Sequence, residues 1–283
     1  MEKCYLCPVK CGADRTKRVG RCGVKGLTVA KAYLHPFEEP ALSPNGKSGA
    51  IFFGGCNLRC VFCQNFEVSR ARKGKAVTPK ELAEIFQSLE AQGAENIDLV
   101  TCDHVIDLAG EALSLYKPSI PVVYNSSGYA LVGSLREIDP YIDIYLPDLK
   151  FVSPALSERY TGRSDYFEVA SEAIKFMAKK PVVFHGGRMT SGILVRHLVL
   201  PCCTGDSLNA LSFLKETLPE NAPVSLMRQF TPDLGKTDFP ELNRTLTARE
   251  YRRVKDYALS LGFENLYLQD KASANAAFVP DWD

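Results

Sequence analysis

Three cysteines fall within eight residues, Cys56-Asn-Leu-Arg-Cys60-Val-Phe-Cys63, separated by three residues and then two. Thiolates spaced so closely can converge on one iron–sulfur cluster. Three ligands on a four-iron cube leave one iron without a protein donor, so that iron can take a substrate group. An open position is what separates a reactive metal site from a closed, structural one. A zinc knot or a set of reduced buried thiols is the competing reading of the same run. A second group, Cys4, Cys7, Cys11 and Cys22, offers four thiols and no histidine, a set that suits zinc, a single iron or a cluster. Three more thiols, Cys102, Cys202 and Cys203, stand apart from both groups.

Composition limits the setting. The 283 residues are 46% hydrophobic and 24% charged, enough for a sizeable core in one large domain or two small ones. Net charge is +1, which gives no support for nucleic-acid binding. The run Arg70-Ala-Arg-Lys-Gly-Lys75 is the one dense basic patch and reads as a solvated loop. No apolar stretch is long enough to span a bilayer, and the polar start Met1-Glu-Lys-Cys is unlike a signal peptide. Ten cysteines in such a chain point to metal rather than disulfides, in a cytoplasmic and low-oxygen setting.

The elements that must position these thiols can be read in order. Residues 1–26 form a cysteine-rich segment, broken by Gly12, Gly20, Gly23 and Gly26. It is too short to bury a core and needs a metal to fold it. Residues 27–48 read as a loop or extended connector holding His35, taken as a loop histidine with a backbone partner. From residue 49 to 283 the chain alternates. Ala50-Ile-Phe-Phe53 is a strand ending in Gly54-Gly55, where the backbone can approach a ligand closely. Thr78-Pro79 with Glu81 opens a helix, as do Thr247 and Glu250. Further strands lie at 96–101, 121–124, 142–146, 182–184, 193–200 and 224–227, with a hairpin at Gly186-Gly187 and helices between most of the others. Repeated strand–helix units predict a mostly parallel sheet covered by helices, with chemistry at the strands' carboxyl ends. Periodicity does not separate an open doubly wound sheet from a partial barrel.

Polar residues follow each expected strand: Thr101-Cys-Asp-His104, Asn125-Ser-Ser-Gly128, Pro147-Asp-Leu-Lys150, Pro201-Cys-Cys-Thr204 and Arg228-Gln229. The spacing Cys-x3-Cys-x-Phe-Cys within Ile51 to Asn65, followed in order by Tyr124-Asn-Ser-Ser-Gly128, Tyr145-Leu-Pro-Asp-Leu-Lys150 and Arg196-His-Leu-Val-Leu-Pro201, resembles the radical S-adenosylmethionine superfamily. The likeness is to its pyruvate formate-lyase activating-enzyme-like branch, some members of which have a cysteine-rich N-terminal segment.

The resemblance implies a partial (β/α)6 barrel and a [4Fe-4S] cluster on Cys56, Cys60 and Cys63. It also implies S-adenosylmethionine held by Phe62 beside the adenine, Asn125 and Ser126 at a turn, and the Asp148–Lys150 pair. The usual Gly-Gly-Glu after the second strand is absent, and Asp103 or His104 stands in its place to receive the amino group. His197 reads as a satisfied sheet histidine. Cys102 reads as inert, as a substrate contact, or as a partner of Cys202 and Cys203 in a further metal site. The implied reaction is reductive cleavage of S-adenosylmethionine, with hydrogen removal from a protein, peptide or small-molecule substrate. A flavodoxin or ferredoxin would supply the electron, and no nucleic acid or membrane takes part. The rival reading is a non-catalytic iron–sulfur or zinc protein for electron transfer or assembly.

Overall fold

The computed structural model describes residues 3–71, 73–232, 238–270 and 282. Its strands in chain order are β1 (Thr28–His35), β2 (Ser48–Phe53), β3 (Lys75–Ala76), β4 (Asn96–Val100), β5 (Val122–Ser126), β6 (Ile144–Pro147), β7 (Val183–His185), β8 (Arg188–Ile193), β9 (Val195–Leu198), β10 (Val224–Met227) and β11 (Leu266–Leu268). The helices are α1 (Phe66–Ser69), α2 (Pro79–Ala91), α3 (Ile106–Leu115), α4 (Val132–Ile138), α5 (Pro154–Thr161), α6 (Tyr166–Met177), α7 (Thr204–Thr217) and α8 (Ala248–Ser260).

β2, β4, β5 and β6 pair in parallel and in sequence, and β6 continues onto β8. β8 runs past Leu194 into β9, and the Leu149 N–H to Arg196 carbonyl bond carries the pairing from β6 to β9. β9, β10 and β11 then pair in parallel. Each parallel strand neighbours the next parallel strand in the chain. A doubly wound sheet would reverse its order at a switch point, so this is the partial (β/α)6 barrel. β2, β5, β6 and β10 are buried along their whole length, as strands covered on both faces must be. That exclusion of water makes their carboxyl ends a dry platform.

Local chemistry sets the helix starts. Thr78 and Glu81 exchange hydrogen bonds across the first turn of α2, and Thr247 and Glu250 do the same for α8. Gly186 and Gly187, both at positive φ, turn β7 back onto β8 as an antiparallel hairpin.

The connector differs from expectation in one respect: residues 28–35 form β1, antiparallel on β2. Its residues are mostly half-buried and its register shifts between Val29 and Lys31, which blurs the alternation a strand shows in sequence. His35 ends this strand. Its Nδ1 meets the Tyr33 hydroxyl at 2.6 Å rather than a backbone group.

Candidate active site

A cavity of about 600 Å³ opens at the carboxyl ends of the parallel strands. Cys56, Cys60 and Cys63 all line it, on the loop between β2 and α1. Gly55 makes that loop possible: its φ is +86°, and a Cβ there would fall 2.6 Å from the Cys22 carbonyl oxygen. The Cys56 N–H donates to that same carbonyl at 3.2 Å. Burial, and then the nearness of Cys60 and Cys63, pushes the Cys56 thiol well above its ordinary value. Burial likewise raises Cys60 to about 11, against relief from Lys150. Three thiols crowded in a dry wall give up their protons to a metal centre, whose charge reverses this balance. They fit a cluster that gives each thiolate its own iron. Among the described residues no group of three or more His, Cys, Asp or Glu side chains closes around a single ion.

Gly55→Ala is expected to cost iron content and the packing of the N-terminal segment together, because the methyl group displaces Cys22 from the loop. Iron counts and limited proteolysis between residues 3 and 26 check this; full iron with unchanged cleavage contradicts it.

The polar side of the cavity is one linked network. Asp148, just after β6, accepts from Lys150 Nζ at 2.7 Å and from Arg196 Nε at 2.8 Å. Arg196, on β9, also donates to Asn125 Oδ1 at 2.6 Å, and Asn125 Nδ2 reaches Asp98 Oδ2 at 3.1 Å. Burial opposes ionisation of Asp148, but Arg196 and then Lys150 outweigh it and hold the carboxyl below its ordinary value. Burial also opposes the charge of Lys150, and Asp148 and then Cys60 reverse that, raising it above the ordinary lysine value. These groups therefore stay charged in a dry wall. Asn125, Ser126, Asp148, Lys150 and Phe62 all line the cavity with the thiols.

The turn after β4 is placed differently from the sequence expectation. Thr101 takes a φ of +64° and lines the cavity, while the next three residues turn away from it. Asp103 is buried and accepts from Tyr124 Oη at 2.8 Å and Ser126 Oγ at 2.6 Å. It orients Ser126 from behind instead of facing a ligand. His104 is buried, with Nε2 2.9 Å from the Gly54 carbonyl oxygen, and its own carbonyl accepts from Arg15. Burial drops its pKa to about 4, so it acts as a neutral brace between the thiol loop and the N-terminal segment. Cys102 is 1% exposed and outside the cavity lining. Cys202 and Cys203 sit at the start of α7, where Cys202 is exposed and its Sγ accepts from Arg244 at 3.2 Å. The described geometry does not gather these three thiols. His197 Nδ1 lies 2.7 Å from the Leu149 carbonyl oxygen, while Nε2 has no partner.

Cys11 and Cys22 approach one another beside Gly20, and Cys4 and Cys22 lie near enough to Cys7 to act on its charge, without closing around a single ion. A Cβ on Gly20 would lie 3.2 Å from Cys22 Sγ and 3.5 Å from Cys11 Sγ. Burial raises the Cys7 thiol to about 11, with Cys4 and Cys22 adding to it. Backbone bonds Cys4 N–H to Ala13 and Gly12 N–H to Cys4 close the segment's own loop.

Arg196 and Thr101, which the sequence motifs include without a role, and Glu38, Glu39 and Ser225, which they pass over, are cavity residues. A lone arginine inside the apolar run Ile193–Leu200 is the signal that could have marked the first. Glu39 is 9% exposed. Burial pushes its carboxyl up to about 7, against partial relief from Arg196. Such a group keeps a proton that the unfolded chain has already released, so stability falls as pH rises from the ordinary carboxylate range through about 7. Glu39→Gln is expected to change stability little at pH 5 and to raise it by on the order of 2–3 kcal/mol at pH 8. Urea titrations at both pH values measure this, and a difference independent of pH contradicts it.

Comparison with known proteins agrees with this fold. A family model described as the radical SAM superfamily matches residues 50–193, just over half the chain. An uncharacterised protein of Methanocaldococcus jannaschii is 29% identical over 280 residues, covering 94% of this chain and 77% of the relative. The pyruvate formate-lyase-activating enzyme of Clostridium pasteurianum is 24% identical over 233 residues, covering 77% and 89%. Among solved structures, Streptococcus suis SuiB bound to the precursor peptide SuiA matches with a TM-score of 0.53 at 13% identity. That match covers 76% of this chain and 46% of SuiB, and at this identity it speaks for the fold alone. SuiB bound to S-adenosylmethionine matches with a TM-score of 0.52.

Proposed function

The chain belongs to the radical S-adenosylmethionine superfamily, and from that premise we propose that it cleaves S-adenosylmethionine reductively and uses the product radical to take hydrogen from a second substrate. The observation that carries the reading is that three thiols and the Asp148–Lys150–Arg196–Asn125 network line one cavity at the strands' carboxyl ends. Cys56, Cys60 and Cys63 would hold a [4Fe-4S] cluster. When bound, it supplies one electron to S-adenosylmethionine, giving methionine and a 5′-deoxyadenosyl radical. The chain's own task is to orient the sulfonium substrate and exclude water. Asp148 and Asn125 offer acceptors suited to ribose hydroxyls. Lys150 and Arg196 offer donors for a carboxylate. Phe62 offers an apolar face for adenine, and the Thr101 turn, in place of Asp103 and His104, stands nearest the role of the missing Gly-Gly-Glu.

The hydrogen donor in this reading is a protein, peptide or small molecule, and the likeness to an activating enzyme makes a protein backbone one such target. A flavodoxin or ferredoxin would be a suitable one-electron donor. Anaerobic reconstitution tests the reading: about four irons and four sulfides are expected at the three thiols, with a reduced-cluster electron paramagnetic resonance spectrum that changes when S-adenosylmethionine is added. An unchanged spectrum from a full cluster counts against a substrate-accessible iron and for the non-catalytic alternative.

We further propose that Cys4, Cys7, Cys11 and Cys22 bind a separate zinc, iron or iron–sulfur group. The segment between residues 3 and 26 has no helix or strand and little apolar surface to order itself. In the triple variant Cys56→Ala, Cys60→Ala, Cys63→Ala, metal analysis is expected to find this group still bound. A metal-free variant whose N-terminal segment resists proteolysis as the parent does would falsify the proposal.

A further inference from the structure

Part of the cavity wall holds more acid than the cations beside it can match. Glu38 and Glu39, in the turn after β1, both line the cavity, and Asp98 of β4 lies behind them, fully buried. Arg196 is the cation they share: the carboxylates acting on it are Asp148, Glu38, Glu39 and Asp98. It donates to Asp148, Asn125 and, at 3.5 Å, Glu38, and not to Glu39. Lys150 is committed to Asp148. His35, whose ring Nδ1 meets Tyr33, is held below its ordinary value by burial, despite Glu38. Glu39 is in no ion pair among the described residues.

A second observation is independent of the charge count. Ser225, on β10, is 1% exposed and lines the same cavity, yet its Oγ has no hydrogen-bond partner. Glu39 is its neighbour, but the two do not meet in hydrogen-bonding geometry. Asp98 Oδ1 is also buried without a partner. Buried polar atoms are rarely left so, because each costs its desolvation. Ser225 Oγ and the Glu39 carboxylate both face the cavity and are able to accept, and among the described residues no cation is paired with either.

We propose that Glu38, Glu39 and Ser225 form a subsite for an alkylammonium group of the second substrate. An ammonium brings three donors and one charge to Glu39 and Ser225, which have neither, beside a Glu38 that Arg196 reaches only at 3.5 Å. Phe37, Phe52 and Tyr267 line the cavity as well and give the alkyl stem and the cation aromatic surface. The assignment rests on the radical-enzyme reading for what the group belongs to, the hydrogen donor, and not for the chemistry of the subsite.

Isothermal titration calorimetry on the anaerobically reconstituted protein at pH 8 tests it with n-butylamine, n-butanol and Nα-acetyl-lysine methylamide. Butylamine is expected to bind at least about tenfold more tightly than butanol. Glu39→Gln is expected to remove that tenfold preference, and Ser225→Ala to weaken butylamine a few-fold. Binding of the lysine amide as well assigns the group to a peptide; binding of butylamine without it assigns a small amine. Saturating S-adenosylmethionine is expected to leave amine binding in place. Equal affinity for butylamine and butanol, unchanged preference in Glu39→Gln, or displacement of butylamine by S-adenosylmethionine overturns the assignment. Deoxyadenosine formation by the parent protein is assayed separately. Its absence sinks the radical reading and leaves the amine result to stand by itself.

Discussion

Cys60→Ala is expected to bind no cluster on the 56–63 loop and to lower deoxyadenosine formation to the background of a protein-free control. The same holds for Cys56→Ala and Cys63→Ala. Two thiolates leave two irons of a cube without protein ligands, and the cavity carboxylates Glu38 and Glu39 stand on the turn after β1 rather than on this loop. Gln64 and Gln229 are engaged with each other. Asp148 is held by Lys150 and Arg196, and His35 meets Tyr33. The fold should survive, since removing a crowded thiol relieves repulsion rather than opening the core. Circular dichroism and iron counts separate loss of cluster from loss of fold. A variant that keeps both four irons on this loop and full cleavage removes the assignment.

Arg196→Leu should have the largest effect on stability. The guanidinium is 16% exposed and touches Asp148, Asn125 and Glu38, and its loss strands buried carboxylates. Breaking a buried ion pair from one side typically costs about 3–5 kcal/mol, a large share of a domain's stability. Urea titration is expected to show a loss of that size. Adding Asp148→Asn to Arg196→Leu is expected to recover part of it, because the stranded charge is then removed. A loss below about 1 kcal/mol, the usual worth of an exposed pair, would mean that the network is solvated and does not serve as a fixed wall. Arg196→Lys keeps the charge but not the planar fork, and should fall between the two.

What was legible in the chain was local. Capping residues marked α2 and α8, since Thr78 with Glu81 and Thr247 with Glu250 need only four consecutive positions to act. Val224–Met227 was legible as β10 because a buried parallel strand reads as a largely apolar run, here broken only by Ser225. The thiol loop was legible because its three residues are near in sequence. The rest depends on groups that meet only in the fold. Arg196 joins residues 48 and 71 positions away, and nothing in its own neighbourhood names those partners. Asp103 and His104 were read toward the ligand because they follow a strand. The left-handed turn at Thr101 instead sends one to Tyr124 and Ser126 and the other to Gly54, and no side chain near Thr101 announces that rotation. Glu38 and Glu39 lie on a turn that looks like a solvated loop, until β1 on β2 carries it into the barrel.

The most direct test of the central claim is 5′-deoxyadenosine, measured by mass spectrometry after the anaerobically reconstituted protein is incubated with S-adenosylmethionine and dithionite. The account predicts deoxyadenosine and methionine in equal amounts, dependent on reductant and absent from Cys60→Ala. Protein with a full complement of four irons on the 56–63 loop that forms no deoxyadenosine would contradict it.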